Sequence, residues 1–265
     1  MTRKEWRLLE VDCDSVYRNL ALEEALITSQ TPAAETPKVR IWINPPAIVA
    51  GRFQDIHLEA DTALCMRKGI TIARRFTGGG TVYHDQGNLN VTMVSLEPII
   101  DLQTIQYRNI TIMKETLLRM GVQSVITSPN SIIIRGRKIA GASLAVRRNL
   151  VLWHASLLVS TDLTTLNQVL SPSRETFPTN RVRSKWQPVT NLQTAVSRSV
   201  EIMEVKKEIL SSIEEIYDIR LRKSQLSPSE ESITTQLHDL KYATADWNNE
   251  GIVSKESETH RTIAA

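Results

Sequence analysis

Arg74-Arg75-Phe76-Thr77-Gly78-Gly79-Gly80-Thr81-Val82-Tyr83-His84-Asp85 is the stretch on which the reading of this chain turns. Its glycine triplet sits between two β-rich runs, Thr71 to Phe76 and Thr81 to His84. Glycine loses more backbone freedom on folding than other residues, so a cluster is kept where positive φ or close approach of another group demands it. A tight hairpin turn is the plain reading of such a triplet, but the flanks favour another. Arg74 and Arg75 bring permanent positive charge, and exposed N–H groups of a glycine turn form an anion-binding concavity. His84 and Asp85 follow at the next strand end. Phosphate or carboxylate binding is the better reading. The loop lacks the closing Gly-Lys-Ser/Thr of a Walker A turn. Its glycines are consecutive and lead into a strand, which excludes a dinucleotide fingerprint.

Outward from the loop, strand and helix signals alternate irregularly, which points to an α+β class rather than a βαβ repeat. Asn19 to Thr28 reads as a helix with Leu20, Ala21, Ala25 and Leu26 on its apolar side. Val39 to Trp42 and Ala47 to Ala50 flank Asn44-Pro45-Pro46 and suggest a hairpin. Asp61 to Lys68 reads as a short helix stopped by Gly69, and Leu89 to Ser95 as a strand. Ile110, Met113, Leu117 and Met120 share a helical face, as do Ile202, Val205, Ile209, Ile213 and Ile216. Ser131 to Arg135 and Lys138 to Val146 read as paired strands around Gly136-Arg137. Val151 to Val159 is another strand, and Asp162 caps a helix to Leu170. Ser171 to Gln187 reads as a long loop, of the kind usually tied to function. A helix is expected near Glu230 to Leu240, and the tail 251–265 reads as frayed.

A chain of 265 residues, 41% hydrophobic and 23% charged, can bury a sizeable core. A formal charge of +3 is too small to imply a nucleic-acid or membrane partner. Cys13 and Cys65 make neither a disulfide framework nor a metal spacing, and a reduced, cytoplasmic setting is expected. No signal peptide opens the chain, and no apolar run reaches the roughly 18–20 residues that span a bilayer.

A second constellation is Gly136-Arg137-Lys138-Ile139-Ala140-Gly141-Ala142-Ser143, followed by Leu152-Trp153-His154-Ala155-Ser156-Leu157-Leu158. A lone lysine at a strand start is normally solvated. Here small neighbours leave room for a ligand against the backbone, where an ammonium could stabilise charge developing during acyl transfer. A lone histidine such as His154 is more often a core or surface residue than a ligand contact.

Taken together, RRFTGGGTVYHDQGNLNVTMV (74–94), the lysine motif at Lys138 and the strand at His154 resemble the lipoate–protein ligases. NLALEEAL, Val49 to Gln54, Val182-Arg183-Ser184 and Val189 to Leu192 extend the resemblance, and DLKYATADWN is similar to the end of the shorter, archaeal-type catalytic domain. The resemblance implies the α+β fold shared with biotin–protein ligases and octanoyltransferases, with mixed, largely antiparallel sheets flanked by helices. It implies a catalytic domain over 1–250, a polar tail over 251–265 and no accessory domain in this chain, that domain coming from a separate small protein. The implied reaction uses ATP, with Mg²⁺, to convert lipoate to lipoyl-AMP. The lipoyl group then passes to a lysine of an E2 lipoyl domain or of the glycine-cleavage H protein.

Carried onto this sequence, the resemblance implies a nucleotide and acyl-adenylate site at Arg75, Gly78, Gly79, Gly80, Thr81, Val82, Tyr83, His84, Asn88, Ala142, His154 and Arg183, with Lys138 as the catalytic cation. Arg75, His84 and Lys138 would surround the acyl carbonyl and phosphate, and the apolar tunnel would draw on segments around Val49 and Val82. The pattern departs at Asn130-Ser131, where many members carry Asn-Asp, which leaves the metal ligands open. The rival from the same fold is an acyltransferase working through a cysteine thioester, and Ile126 to Asn130, where one group carries its cysteine, has none. A biotin ligase has a different sequence around its glycine loop. A non-catalytic binder is the reading from another class.

Overall fold

The structure, a computed structural model, describes residues 3–11, 13–29, 36–97, 101–170 and 181–253. Eight of the eleven strands among the described residues build one large sheet from distant parts of the sequence. The N-terminal half contributes β1 (Lys4–Leu9), α1 (Val16–Thr28), β2 (Lys38–Trp42), β3 (Ala47–Ala50), α2 (Thr62–Arg67), β4 (Thr71–Arg74), β5 (Val82–His84), β6 (Asn88–Leu96) and α3 (Leu102–Arg119). There follow β7 (Val125–Ser128), β8 (Ser131–Ile134), β9 (Arg137–Arg147), β10 (Leu150–Leu158), α4 (Leu163–Val169) and α5 (Leu192–Val196). The last elements are α6 (Ile202–Tyr217), β11 (Ile219–Ser224), α7 (Pro228–Leu237), a π-turn at His238–Tyr242 and α8 (Ala245–Glu250).

The eight-stranded sheet runs β11-β1-β2-β6-β10-β9-β8-β7, and a three-stranded sheet runs β4-β3-β5. Only the β11–β1–β2 edge of the large sheet is parallel; its other pairings are antiparallel. This is the mixed α+β architecture expected. The helical periodicities hold: Ile110, Met113 and Leu117 of α3 and Val205, Ile209 and Ile213 of α6 are fully buried in one cluster with Trp153, Ala155 and Leu157 of β10. Asp61, Asp101 and Asp162 each accept an amide of the first turn of their helices.

The opposite face of the large sheet changes character along its length. Strand alternation puts Val94, Thr92, Asn90 and Asn88 of β6 on that face, beside Leu152, His154, Ser156 and Leu158 of β10. Val94 and Leu152 pack under Leu22 and Leu26 of α1. Beyond them the face turns polar, and there the small sheet and the glycine loop lie against it.

The expected β2–β3 hairpin needs correction. β2 and β3 do not form a hairpin. Asn44 to Pro46 carries the chain from one sheet to the other, because all five residues of β2 and all four of β3 are buried and each strand needs cover on both faces. The glycine triplet is not a hairpin turn either, since β4 and β5 flank β3 on opposite sides. The helix expected at Glu230 to Leu240 starts at Pro228, behind a Ser227–Glu230 capping box, and leaves α-geometry after Leu237. Residues 171–180 of the expected long loop and 254–265 of the expected tail lie outside the described residues. Residues 251–253 are held, with Ile252 N–H donating to the Asp246 carbonyl and Val253 packed on the core.

Glu230 also joins helix to sheet. Its carboxylate meets Lys38 Nζ at 2.8 Å and Arg7 at 2.8 and 2.9 Å. Burial alone would raise its pKa, but hydrogen bonds from Arg7 and Lys38 prevail and bring it down to about 2. That lies below the unfolded value of about 4.3, so its stabilisation is complete above pH 4–5 and is lost as pH falls towards 2. Glu230→Gln is expected to cost about 3 kcal/mol at pH 7. Urea melts should show the gap to wild type narrowing at pH 3; a gap independent of pH would contradict the assignment.

Candidate active site

The two arginines before the glycine loop, alike in sequence, do different work. Arg74 ends β4 and is fully buried. Its guanidinium donates to the carbonyls of Gly51, Arg52, Gln54, Trp247 and Asn249 at 2.6–3.2 Å, binding α8 to the base of the loop. The expectation that Arg74 offers charge to an anion is therefore corrected, because its donors are spent on backbone. Arg75 lies beneath the loop. It donates to the carbonyls of Val49, Gly78 and Gly80 and to Thr77 Oγ1. Burial brings its pKa down to about 10, which still leaves it a cation at neutral pH.

With the carbonyls of Gly78 and Gly80 turned onto Arg75, the amides of Gly78, Gly79 and Gly80 have no hydrogen-bond partner among the described residues. Gly79 adopts φ +90°, and a Cβ on Gly51 would come within 2.1 Å of the Gly79 carbonyl oxygen. Both positions demand glycine. The next amide, that of Thr81, is taken by Ser184 Oγ at 3.0 Å. Ser184 also accepts from Gln54, and Glu59 holds its backbone amide and Arg183.

Beside the loop is a cavity of ≈ 160 Å³. Thr81, Val82 and Tyr83 form one wall, Lys138 to Gly141 and Ser156 another, and Ser184 to Gln187 the rim. The backbone of Lys138 is clamped to the 188–190 segment: its N–H donates to the Pro188 carbonyl and its carbonyl accepts from Thr190 N–H. The side chain folds over Gly141, where a Cβ would lie 3.2 Å from Nζ. The ammonium makes no hydrogen bond or ion pair among the described residues. Burial, then the charge of Arg75, holds its pKa below the ordinary lysine value. An unpaired, partly desolvated cation facing a cavity favours an anionic ligand.

Of the other expected site residues, His84 is buried on β5 with Nδ1 at 2.9 Å from Asn44 Nδ2, and burial drives its pKa down to about 3. It is therefore neutral at physiological pH. Asn88 is fully buried at the start of β6, and its Oδ1 has no partner among the described residues. Ala142 points to the opposite face, against the core, and is not among the residues lining the cavity. Val49 is packed with Trp42, Tyr242 and Trp247, leaving Val82 alone of the expected tunnel pair at the cavity. His154 stands behind the loop with both ring nitrogens engaged: Nδ1 at 3.0 Å from Glu23 Oε1, Nε2 at 3.0 Å from Thr77 Oγ1.

The sequence reading gave no site role to Glu23, Gln54, Glu59 or Ser184, although the first, second and fourth lie in segments that carry the resemblance. Glu23 had a usable signal, because Glu23-Glu24 interrupts a helix that is otherwise apolar on that side, and both are buried. Ser184 and Glu59 reach the site only through tertiary contacts.

The donor set at Asn130-Ser131 does not fit a protein-held Mg²⁺. Asn130 Oδ1 accepts from Ser128 Oγ, Ser131 Oγ is buried without a partner, and the described residues contain no group of three or more His, Cys, Asp or Glu side chains placed to hold a metal ion. The carboxylate lining the cavity, Glu59, is committed to Arg183 and Ser184.

Residues 15–214 match the family described as the lipoyl protein ligase A/B catalytic domain. The chain is 32% identical to lipoate-protein ligase A subunit 1 of Thermoplasma acidophilum, over 95% of this chain and 99% of that one. Its structure is similar to that of a bipartite archaeal lipoate protein ligase from T. acidophilum, studied with its E2 lipoyl domain: TM-score 0.84, 30% identity, 95% of this chain and 99% of that chain covered. It is also similar to lipoate-protein ligase A bound with ATP, at TM-score 0.83 and 30% identity, over 94% of this chain and 100% of that chain.

Proposed function

The chain belongs to the lipoyl protein ligase A/B catalytic-domain family, and from that premise we propose that it is an ATP-dependent lipoate–protein ligase. The observation that carries this reading is the unpaired Lys138 ammonium, folded over Gly141 into a cavity beside three free glycine amides. In the first half-reaction a lipoate carboxylate oxygen attacks the α-phosphorus of ATP. The bond to pyrophosphate breaks and lipoyl-AMP forms. In the second, a lysine amine attacks the acyl carbonyl, the bond to AMP breaks, and the amine loses a proton.

The amides of Gly78, Gly79 and Gly80 receive phosphate oxygens, with Arg75 fixed beneath them. Lys138 offsets the charge gathering on the carbonyl and α-phosphate oxygens as the bond forms. Thr81, Val82 and Tyr83 give the cavity its wall, while Asn88 and Ala142 lie on β6 and β9 behind it. Arg183, on the 181–187 segment, closes the rim through Glu59. His154 supports the loop from behind through Thr77. No step here passes through Mg²⁺, for which this chain's residues supply no fitting donor set; Mg²⁺ arriving with ATP would be held by phosphate oxygens.

The same reading assigns a catalytic domain to residues 1–250, to which residues 251–253 are joined by their packing on the core. Similarity to a subunit 1 supports a second, smaller protein as its working partner. E2 lipoyl domains, and the glycine-cleavage H protein by the same chemistry, are the acceptors. A cytoplasmic setting is supported by the two free thiols, and no helix among the described residues is long and apolar enough to cross a membrane.

The thioester rival needs a reactive cysteine in the cavity. Cys65 is fully buried on α2, with its thiol pKa pushed up by burial, and Cys13 sits near Arg40. Lipoate-dependent ATP–pyrophosphate exchange, with and without the accessory protein, tests the function. Cys13→Ser/Cys65→Ser should retain it, and loss in that double variant would favour the rival. Gly51→Ala should keep the fold but lower exchange about 10–100-fold, because a Cβ there displaces the Gly79 carbonyl, and misplacement of about 1 Å can cost that much. Unchanged exchange would remove the glycine amides from the mechanism.

A further inference from the structure

The polar patch between α1 and the glycine loop has a single consistent direction of hydrogen bonding. Trp42 Nε1–H donates to Thr92 Oγ1 at 2.8 Å, so the Thr92 proton is given onward to Glu23 Oε1 at 2.6 Å. Glu23 is buried at 1% exposure and accepts only. The imidazole of His154 must then present Nδ1–H to it, at 3.0 Å, which turns Nε2 to Thr77 Oγ1 at 3.0 Å. Thr77 Oγ1 also accepts from Arg75 Nε at 3.1 Å, and towards the unprotonated Nε2 of the Nδ1–H tautomer it donates its own proton. Arg75 in turn holds the carbonyls of Gly78 and Gly80.

We propose that Glu23 is a positioning residue for adenylate formation: it fixes the tautomer and ring orientation of His154, and through Thr77 the geometry of the glycine loop. This deepens the ligase reading and rests on it. Glu23 touches no reactant. A carboxylate behind a histidine commonly sets which ring nitrogen carries the proton, and loss of such an outer partner typically costs 10–100-fold in function.

The other charged and titratable groups near the relay are Arg40 and His84. Arg40 donates to Asn19 and stacks over Trp42 at 5.0 Å, and His84 is held by Asn44. Neither hydrogen-bonds Thr77 or His154 in the contacts described, so they cannot replace Glu23 in orienting the ring.

The test is a double-mutant cycle in lipoate-dependent ATP–pyrophosphate exchange, with melting temperatures measured alongside. Glu23→Gln keeps shape but offers an N–H₂ where an acceptor is required. It is expected to lower kcat/KM for ATP by about 10–100-fold. In a Thr77→Val background the same change should cost less than about 2-fold, since the route to the loop is already cut. Equal losses in both backgrounds, or full activity in Glu23→Gln, overturn the proposal. If Glu23→Gln does not fold, the pair His154→Gln and Thr77→Val carries the test: non-additive losses support the relay and multiplicative losses overturn it. A folded wild type without exchange counts against the ligase reading and leaves the Glu23 relay to be judged by the His154 ring's NMR tautomer, expected as Nδ1–H in wild type and altered in Glu23→Gln.

Discussion

Lys138→Ala is expected to lower lipoyl-AMP formation by about 10²–10³-fold, the loss typical of removing one preorganised donor from a developing oxyanion. The fall should appear in kcat, because the ammonium meets its full counter-charge only as the carboxylate bonds to phosphorus. Lys138→Arg should not rescue it, since the side chain is folded over Gly141 with 3.2 Å between Nζ and the position of a Cβ. The same residue makes a claim about stability. A cation whose folded pKa lies below its unfolded value of about 10.4 penalises the folded state at neutral pH, and the penalty vanishes as pH rises past that value. Lys138→Met is therefore expected to raise stability at pH 7 by about 0.5–2 kcal/mol while abolishing adenylate formation. A Met variant less stable than wild type would mean that the ammonium is paired rather than waiting for a ligand.

The largest structural effect is expected at Arg74. Its alanine variant removes donors from the carbonyls of Gly51, Arg52, Gln54, Trp247 and Asn249 at once, in a fully buried setting. A loss of about 3–5 kcal/mol follows, a large part of the 5–15 kcal/mol that holds ordinary domains. Arg74→Lys should recover little, because one compact ammonium cannot span carbonyls that approach a planar fork from several sides. Urea melts give the energy, and hydrogen exchange gives the place: amides of Trp247 to Gly251 should lose protection first. A variant within 1 kcal/mol of wild type would contradict the anchoring role. Arg75→Ala should instead spare α8 and disorder the loop.

What the sequence made legible follows the locality of the physics. The helices of strong 3.6 periodicity, α3 and α6, were readable, as was the Asp162 cap, because each depends on residues within a turn or two. The glycine loop and the Lys138 strand were readable because their compositions are costly unless used. β1 and β11 were not. KEWRLL and IRLRKS carry too much charge to signal strands alone, and become strands by parallel pairing across more than two hundred residues. Asn44-Pro45-Pro46 has a hairpin's composition, and only the burial of β2 and β3 on both faces shows why it changes sheets. Arg74 and Arg75 are chemically identical, so no local rule could say that one serves the loop and the other α8. The neutrality of His84 comes from burial, which its neighbours in sequence do not announce. The rim was least accessible of all: Ser184 meets Thr81 across 103 residues, and Glu59 meets Arg183 across 124.

The central claim is that the cavity beside Gly78 to Gly80 takes an acyl-adenylate with Lys138 facing its carbonyl and phosphate. Calorimetric titration of the folded chain with a non-hydrolysable lipoyl-sulfamoyl-adenosine tests it without waiting for acceptor or accessory protein. One molecule should bind per chain, with Kd in the micromolar range or tighter, and Lys138→Ala should weaken it by at least about tenfold, or 1.4 kcal/mol. Absence of binding by the folded wild type, or equal affinity in Lys138→Ala, would contradict the account.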